Sequence, residues 1–178
     1  FDGTILKTDK FNWECYNIIL NKYDKNITYQ DFLISISDSH LDIYFREKLG
    51  LEDDKIKKIR NEKYDLMYEH IKKSKTIHLM PGMETFLNYI EKFNINHSVV
   101  TNTSIKAINL YREHFPILNK LKNWVTRENY NLPKPNPECY NYAIKKYGKN
   151  EKYILGFEDS IVGYKALKGV TDKIYIII

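Results

Sequence analysis

Apolar residues recur every three or four positions through most of the first half of the chain. From about Lys10 to Tyr23, the residues Trp13, Tyr16, Ile19, Leu20 and Tyr23 share one side of a helical period. Thr28, ahead of Gln30 and Asp31, marks a second helix start, with Phe32, Leu33 and Ile36 on one side. Ser39 is placed to cap a further helix that reaches Leu49, where Gly50 stops it. Ile56, Ile59, Leu66, Met67 and Ile71 then line a long amphipathic stretch. Residues from about 10 to 79 therefore read as helices only. Ahead of them, Phe1-Asp-Gly-Thr-Ile-Leu6 reads as the exit of a strand into a turn.

The pattern changes after Pro81-Gly82. Met83 to Phe93 is helical, Ser98 to Thr101 is a short buried strand, and Ser104 to His114 is helical again. Trp124 to Thr126 has the character of a strand, Pro137 to Tyr147 of a helix, and Tyr153 to Phe157 of a strand. Val162 to Lys168 closes as a helix and Lys173 to Ile178 as a strand. Strands alternating with helices at this spacing argue for a parallel sheet covered on both faces. The predicted architecture is a doubly wound α/β core of residues 1–9 and 80–178, with an all-helical insertion of residues 10–79 after the first strand.

Composition narrows the class. With 178 residues, 43% hydrophobic and 29% charged, the chain can bury a real core as one domain or a core with one insertion. That excludes a disordered tail, a collagen-like repeat and a disulfide scaffold. Cys15 and Cys139 are too few for a disulfide framework and point to a reducing compartment. No apolar run approaches the ~20 residues that span a bilayer, and no basic-then-apolar leader opens the chain. A cytoplasmic protein without a membrane partner is expected. The non-Met start and the end inside an apolar run suggest a piece of a longer protein.

The net charge of +5 does not alter this picture. The 28 Lys and Arg are interleaved with 23 Asp and Glu, as in Glu52 to Arg60, which reads as a solvated helix face. No nucleic-acid recognition motif accompanies the charge, so no nucleic-acid partner is expected. A mildly basic surface suits small phosphorylated anions equally well.

Open parallel sheets bind ligands at the carboxyl ends of their strands. The polar residues expected at those ends are Asp2 and Thr4, then Thr101 and Asn102, then Glu158 and Asp159. Lys134 lies in the loop Leu132-Pro-Lys-Pro-Asn-Pro137, where two prolines restrict its backbone. Carboxylates, a hydroxyl, an amide and an ammonium aimed at one crevice suit a phosphate held with a hard divalent cation.

The series Asp2-Gly-Thr-Ile, Val99-Val-Thr101-Asn, Lys134-Pro-Asn-Pro and Gly156-Phe-Glu-Asp-Ser160 resembles the four ordered motifs of the haloacid-dehalogenase superfamily. Pro81-Gly-Met-Glu and Phe157 to Gly163 are similar to the branch containing β-phosphoglucomutase, phosphoglycolate phosphatase and sugar-phosphate phosphatases. The resemblance covers essentially the whole chain. It implies a Rossmann-like core, a helical cap at the insertion and Mg²⁺ as cofactor. The reaction it implies is hydrolysis of a small phosphorylated metabolite. Asp2 then corresponds to the second aspartate of Asp-x-Asp-Gly-Thr, which protonates the leaving oxygen, later activates water and binds Mg²⁺ through its carbonyl.

Under the same resemblance Thr101 binds the transferring phosphate, with Asn102 assisting, and Lys134 offsets charge between nucleophile and phosphate. Asp159 is expected as a direct Mg²⁺ ligand, with Glu158 direct or through water. The nucleophilic aspartate is expected immediately before Phe1, ahead of this sequence. A phosphomutase of the β-phosphoglucomutase type and a non-catalytic module on the same fold share most of these features. The five histidines show no metal-ligand spacing, and the fifteen tyrosines read as compositional bias.

Overall fold

The computed structural model describes residues 1–37 and 40–177. Ser39, expected as a helix cap, and Ile178, expected in the last strand, lie outside the described residues. The chain divides into two compact units, Phe1–Lys7 with His78–Ile178, and Thr8–Ile77.

The second unit is helical. Its helices are α1 (Asp9–Asn21), α2 (Tyr29–Ser37), α3 (Leu41–Glu47) and α4 (Asp53–His70), followed by a 3₁₀ turn at Ile71–Lys73. The helix-period residues form one core: Tyr16, Ile19 and Leu20 of α1 pack with Phe32, Phe45, Ile56 and Ile59. The Tyr16 ring lies 5.9 Å from that of Phe32 and 5.6 Å from that of Phe45. Local chemistry sets the boundaries. Thr28 Oγ1 accepts from the Asp31 N–H at 3.1 Å, satisfying a donor of the first turn of α2. Gly50, at φ +66°, takes the left-handed turn beyond α3 that a side chain would resist.

The α1–α2 connection is held by a side chain. Asn17 accepts from the Ile27 N–H at 2.9 Å and returns its amide to the Ile27 carbonyl at 2.9 Å. Trp13 Nε1 donates to the same carbonyl at 2.8 Å. The loop backbone is thus paired as it would be in a ladder.

The first unit alternates strands and helices. It runs β1 (Leu6–Lys7), β2 (His78–Leu79), α5 (Met83–Lys92), β3 (Val99–Val100), α6 (Ile105–His114) and β4 (Trp124–Val125). It continues through α7 (Glu138–Tyr147), β5 (Gly156–Glu158), α8 (Ile161–Lys168) and β6 (Ile174–Ile176). Strand β3 pairs parallel with β4, placing Val99 opposite Trp124 and Val100 opposite Val125. Strand β5 pairs parallel with β6, Gly156 opposite Ile174. These pairs and the helices between them make the α/β class. Val100, Val125, Tyr130, Cys139, Tyr140, Ala143, Ala166 and Leu167 form a core cluster. Both cysteines are buried free thiols. Among the described residues, no helix is long and apolar enough to cross a membrane.

Two details depart from the sequence pattern. His78–Leu79, inside the stretch expected to be purely helical, is a strand that pairs antiparallel with β1. The strand expected from Tyr153 starts only at Gly156, where the Gly156 N–H reaches the Lys173 carbonyl at 2.9 Å. Tyr153 and Leu155 are 64% and 55% exposed. Asp2 and Thr4 lie in the expected turn, where the Gly3 N–H donates to the Leu6 carbonyl and the Ile5 N–H to that of Phe1.

Replacing Asn17 by Ala removes both bonds to Ile27 and leaves a buried N–H unpaired. The expected loss is about 1–3 kcal/mol of stability, read from urea unfolding. An unchanged midpoint would show that the loop holds without Asn17.

Candidate active site

The site residues hang on strand ends and on glycines. The Thr101 N–H reaches the Val125 carbonyl at 2.9 Å, carrying the β3–β4 pairing one residue further before the chain turns away. Thr101 is 4% exposed. Its Oγ1 accepts from the Thr103 N–H at 3.0 Å, which leaves the hydroxyl proton for another acceptor. Ser104 accepts from the Ala107 N–H and opens α6. Asn102 between them is exposed.

Thr103 Oγ1 donates to Asp2 Oδ2 at 2.6 Å, joining the β3 end to the opening turn. That turn depends on Gly3 at φ +71°. A Cβ on Gly3 would stand 2.0 Å from Asp159 Oδ2, so the Asp159 carboxylate occupies the space a side chain would fill. Its other oxygen accepts from Thr4 Oγ1 at 2.8 Å. Burial pushes the Asp159 carboxyl above its ordinary range.

Glu158, the last residue of β5, turns the opposite way. Its carboxylate pairs with Lys134 Nζ and accepts from the Tyr140 hydroxyl. Lys134 Nζ also donates to the Tyr140 oxygen at 2.8 Å and lies 3.4 Å from the Val100 carbonyl. Burial acts to raise Glu158, but the charge of Lys134 and the bonds from Lys134 and Tyr140 outweigh it and hold the carboxyl below its ordinary range. A Cβ on Gly163 would lie 2.1 Å from Glu158 Oε2. Glycine there lets the carboxylate lie against α8.

The residues expected from the sequence are linked by a chain of contacts. Thr103 ties Asp2 to the Thr101 segment, Asp159 lies against Gly3 and bonds Thr4, and Lys134 reaches Val100 and Glu158. Among the described residues no group of three His, Cys, Asp or Glu side chains is gathered as a metal site. Glu158 is engaged by Lys134 and Tyr140. The remaining donors are hard oxygens, Asp159 against the Asp2-Gly3 turn, and these fit a hard divalent cation in chemistry.

Three residues of the site were not singled out from the sequence. Thr103 follows a Thr-Asn pair, but nothing in its spacing points at Asp2. Tyr130, whose hydroxyl donates to the Thr101 carbonyl, and Tyr140 are two tyrosines among fifteen. The only signal for Tyr140 was its place with Cys139 and Ala143 on the buried face of α7.

The raised Asp159 carboxyl has a thermodynamic consequence. Its ionisation costs stability, so in metal-free protein Asp159→Asn should raise the melting temperature at pH 7, by about 2–4 °C per kcal/mol recovered. The sign follows from linkage: the cost is absent where Asp159 is protonated in both states and grows as pH rises through the ordinary carboxyl range. The gain should therefore vanish near pH ~4. Thermal unfolding from pH 4 to 8 checks this, and a gain independent of pH would contradict it.

Comparisons with other proteins bear on the fold and the family. YhcW of Bacillus subtilis (strain 168), an inferred phosphatase, is 23% identical over 182 residues, spanning 99% of this chain and 80% of YhcW. The crystal structure of an inferred phosphoglycolate phosphatase from Lactobacillus plantarum superposes with a TM-score of 0.81 at 14% identity, covering 99% of this chain and 83% of that one. An inferred β-phosphoglucomutase from Thermotoga maritima gives 0.70 at 20% identity, covering 99% and 82%. At these identities the structures speak for the fold. The model of the haloacid dehalogenase-like hydrolases matches residues 1–171, and the chain belongs to that family.

Proposed function

We propose that the chain is a Mg²⁺-dependent phosphatase of small phosphomonoesters that works through an aspartyl-phosphate intermediate. The observation that carries this reading is the contact of Asp2 with Thr103, two residues from a Thr101 hydroxyl left with a proton to donate. An acid for the leaving group and a donor for the phosphoryl oxygens thus stand side by side.

In this reading the phosphate accepts from the Thr101 hydroxyl and from the N–H groups of Asn102. The aspartate expected ahead of Phe1 attacks phosphorus, and Asp2 gives a proton to the leaving oxygen. Asp2 then takes a proton from the water that hydrolyses the acyl phosphate, so the two half-reactions use one carboxyl in both directions. Thr103 keeps Asp2 turned toward the phosphate through both.

Lys134 supplies positive charge at low dielectric, where it counts most. Of its three contacts the one to Val100 is longest, and that proton is the one a phosphate oxygen can claim. Asp159 and the Asp2 carbonyl would hold Mg²⁺, which when bound neutralises charge on the phosphoryl oxygens. Glu158 serves as the counter-charge that fixes Lys134. The substrate class is small phosphorylated metabolites, and the location expected is the cytoplasm.

Phosphate release from a panel of sugar phosphates and other phosphomonoesters, with and without Mg²⁺, tests the proposal on full-length protein. Release should require the metal. Asp2→Asn should lower kcat at least about 100-fold, the low end of what a positioned acid–base group contributes. Folded protein that releases no phosphate at any Mg²⁺ concentration would refute the phosphatase reading.

A further inference from the structure

Tyr130 lies beyond β4, far from the strand end it touches. It is 6% exposed, and its ring packs in the core with Val100 and Tyr140. The Arg127 guanidinium stands 5.2 Å from the ring centroid. Its hydroxyl is aimed at two carbonyls of neighbouring residues, the Thr101 main chain at 2.8 Å and the Asn102 side chain at 2.6 Å. This is a three-centre hydrogen bond, with one proton shared between two acceptors.

Each acceptor is one end of a planar amide whose other end is a donor. In a trans peptide the C=O and the following N–H point in opposite directions. Fixing the Thr101 carbonyl therefore fixes the Asn102 N–H away from Tyr130. The same holds for the Asn102 side chain, whose oxygen faces Tyr130 and whose NH₂ then faces outward. Among the described residues nothing accepts from the Asn102 N–H. Two donors of one exposed residue are left pointing out of the fold, beside the Thr101 hydroxyl.

We propose that Tyr130 is a positioning residue for substrate phosphate, gripping two amides by their oxygens so that both N–H ends of Asn102 present to the anion. The inference rests on the phosphatase reading and adds a residue that the reading does not contain. Tyr130 never touches substrate. The backbone on either side is held through the Thr101 and Thr103 N–H groups; Tyr130 adds the anchor on the peptide between them and on the exposed Asn102 side chain, which otherwise samples several rotamers. Burial pushes the Tyr130 phenol up, so it remains the protonated donor throughout the neutral range.

The test is Tyr130→Phe in the full-length protein, which keeps the ring and removes one oxygen. The KM for a phosphomonoester and the inhibition constant for inorganic phosphate should both rise about 3- to 10-fold, the value of one or two hydrogen bonds. The two should rise together, with kcat changing less. In an Asn102→Ala background the effect of Tyr130→Phe should shrink, because one of the donors it orients is gone. Asn102→Asp, an exposed substitution that preserves the oxygen facing Tyr130, replaces the outward NH₂ with a negative oxygen. It should weaken phosphate inhibition about tenfold or more.

If wild-type protein turns over substrate and Tyr130→Phe keeps both constants within twofold, the inference fails and the phosphatase reading stands. A fall in kcat alone, with phosphate inhibition unchanged, also overturns it. Should Tyr130→Phe not fold, Asn102→Asp decides, and unchanged phosphate inhibition there sinks the proposal. Wild-type protein that neither turns over phosphomonoesters nor is protected by phosphate against thermal unfolding would overturn both together.

Discussion

The ion pair between Lys134 and Glu158 is the contact around which the α/β unit is arranged. Both side chains are almost fully enclosed, 8% and 5% exposed, so each charge has given up its water. A pair in that position gains little over apolar residues of the same size, whereas losing one partner strands the other and costs several kcal/mol. Such a contact constrains sequence more than it stabilises the fold. It also joins segments that hydrogen-bonded ladders do not: the Pro-rich loop, the end of β5, α7 through Tyr140 and β3 through the Val100 carbonyl. Gly163 belongs to the same constraint, since the carboxylate needs the room a methyl would take.

The two adjacent carboxylates illustrate how environment divides like groups. Glu158 is held ionised by a cation, whereas Asp159, one residue on, is held by a hydroxyl and left to bear its burial. Glu158 ends β5 and Asp159 follows it in the bend beyond, and the one serves the lysine while the other serves the opening turn. A buried carboxyl whose ionisation costs stability is a candidate for ligand binding rather than for holding the fold.

Much of this was legible in the sequence. Helical periodicity places Tyr16, Ile19, Leu20, Ile56 and Ile59 in one core, and the alternation of segments after Pro81 gives the α/β class. The positions Asp2, Thr101, Lys134 and Asp159 follow from strand ends and ordered motifs. What escapes is whatever depends on side chains distant in sequence. Two-residue strands such as His78–Leu79 carry no period to detect, and their pairing with Leu6–Lys7 is settled by tertiary geometry. Glu158 has the type and position expected of a metal ligand, and nothing in its spacing signals its contacts to Lys134 and Tyr140. Tyr130 and Thr103 act through bonds to residues 28 and 101 positions away, which no local pattern can signal.

The short antiparallel ladder of β1 and β2 has a topological consequence. Lys7 and His78 face each other in register, which puts their Cα atoms roughly 5 Å apart. The whole of Thr8–Ile77 thus leaves and re-enters the α/β unit through neighbouring doors. Closing that gap needs no more chain than a two-residue hairpin turn, so the length and content of the inserted segment are decoupled from the geometry of the strands that carry it. Evolution can lengthen, shorten or exchange the helices between those doors while Asp2, Thr101 and Asp159 keep their positions. One hydrolytic centre can in this way be fitted to many substrates.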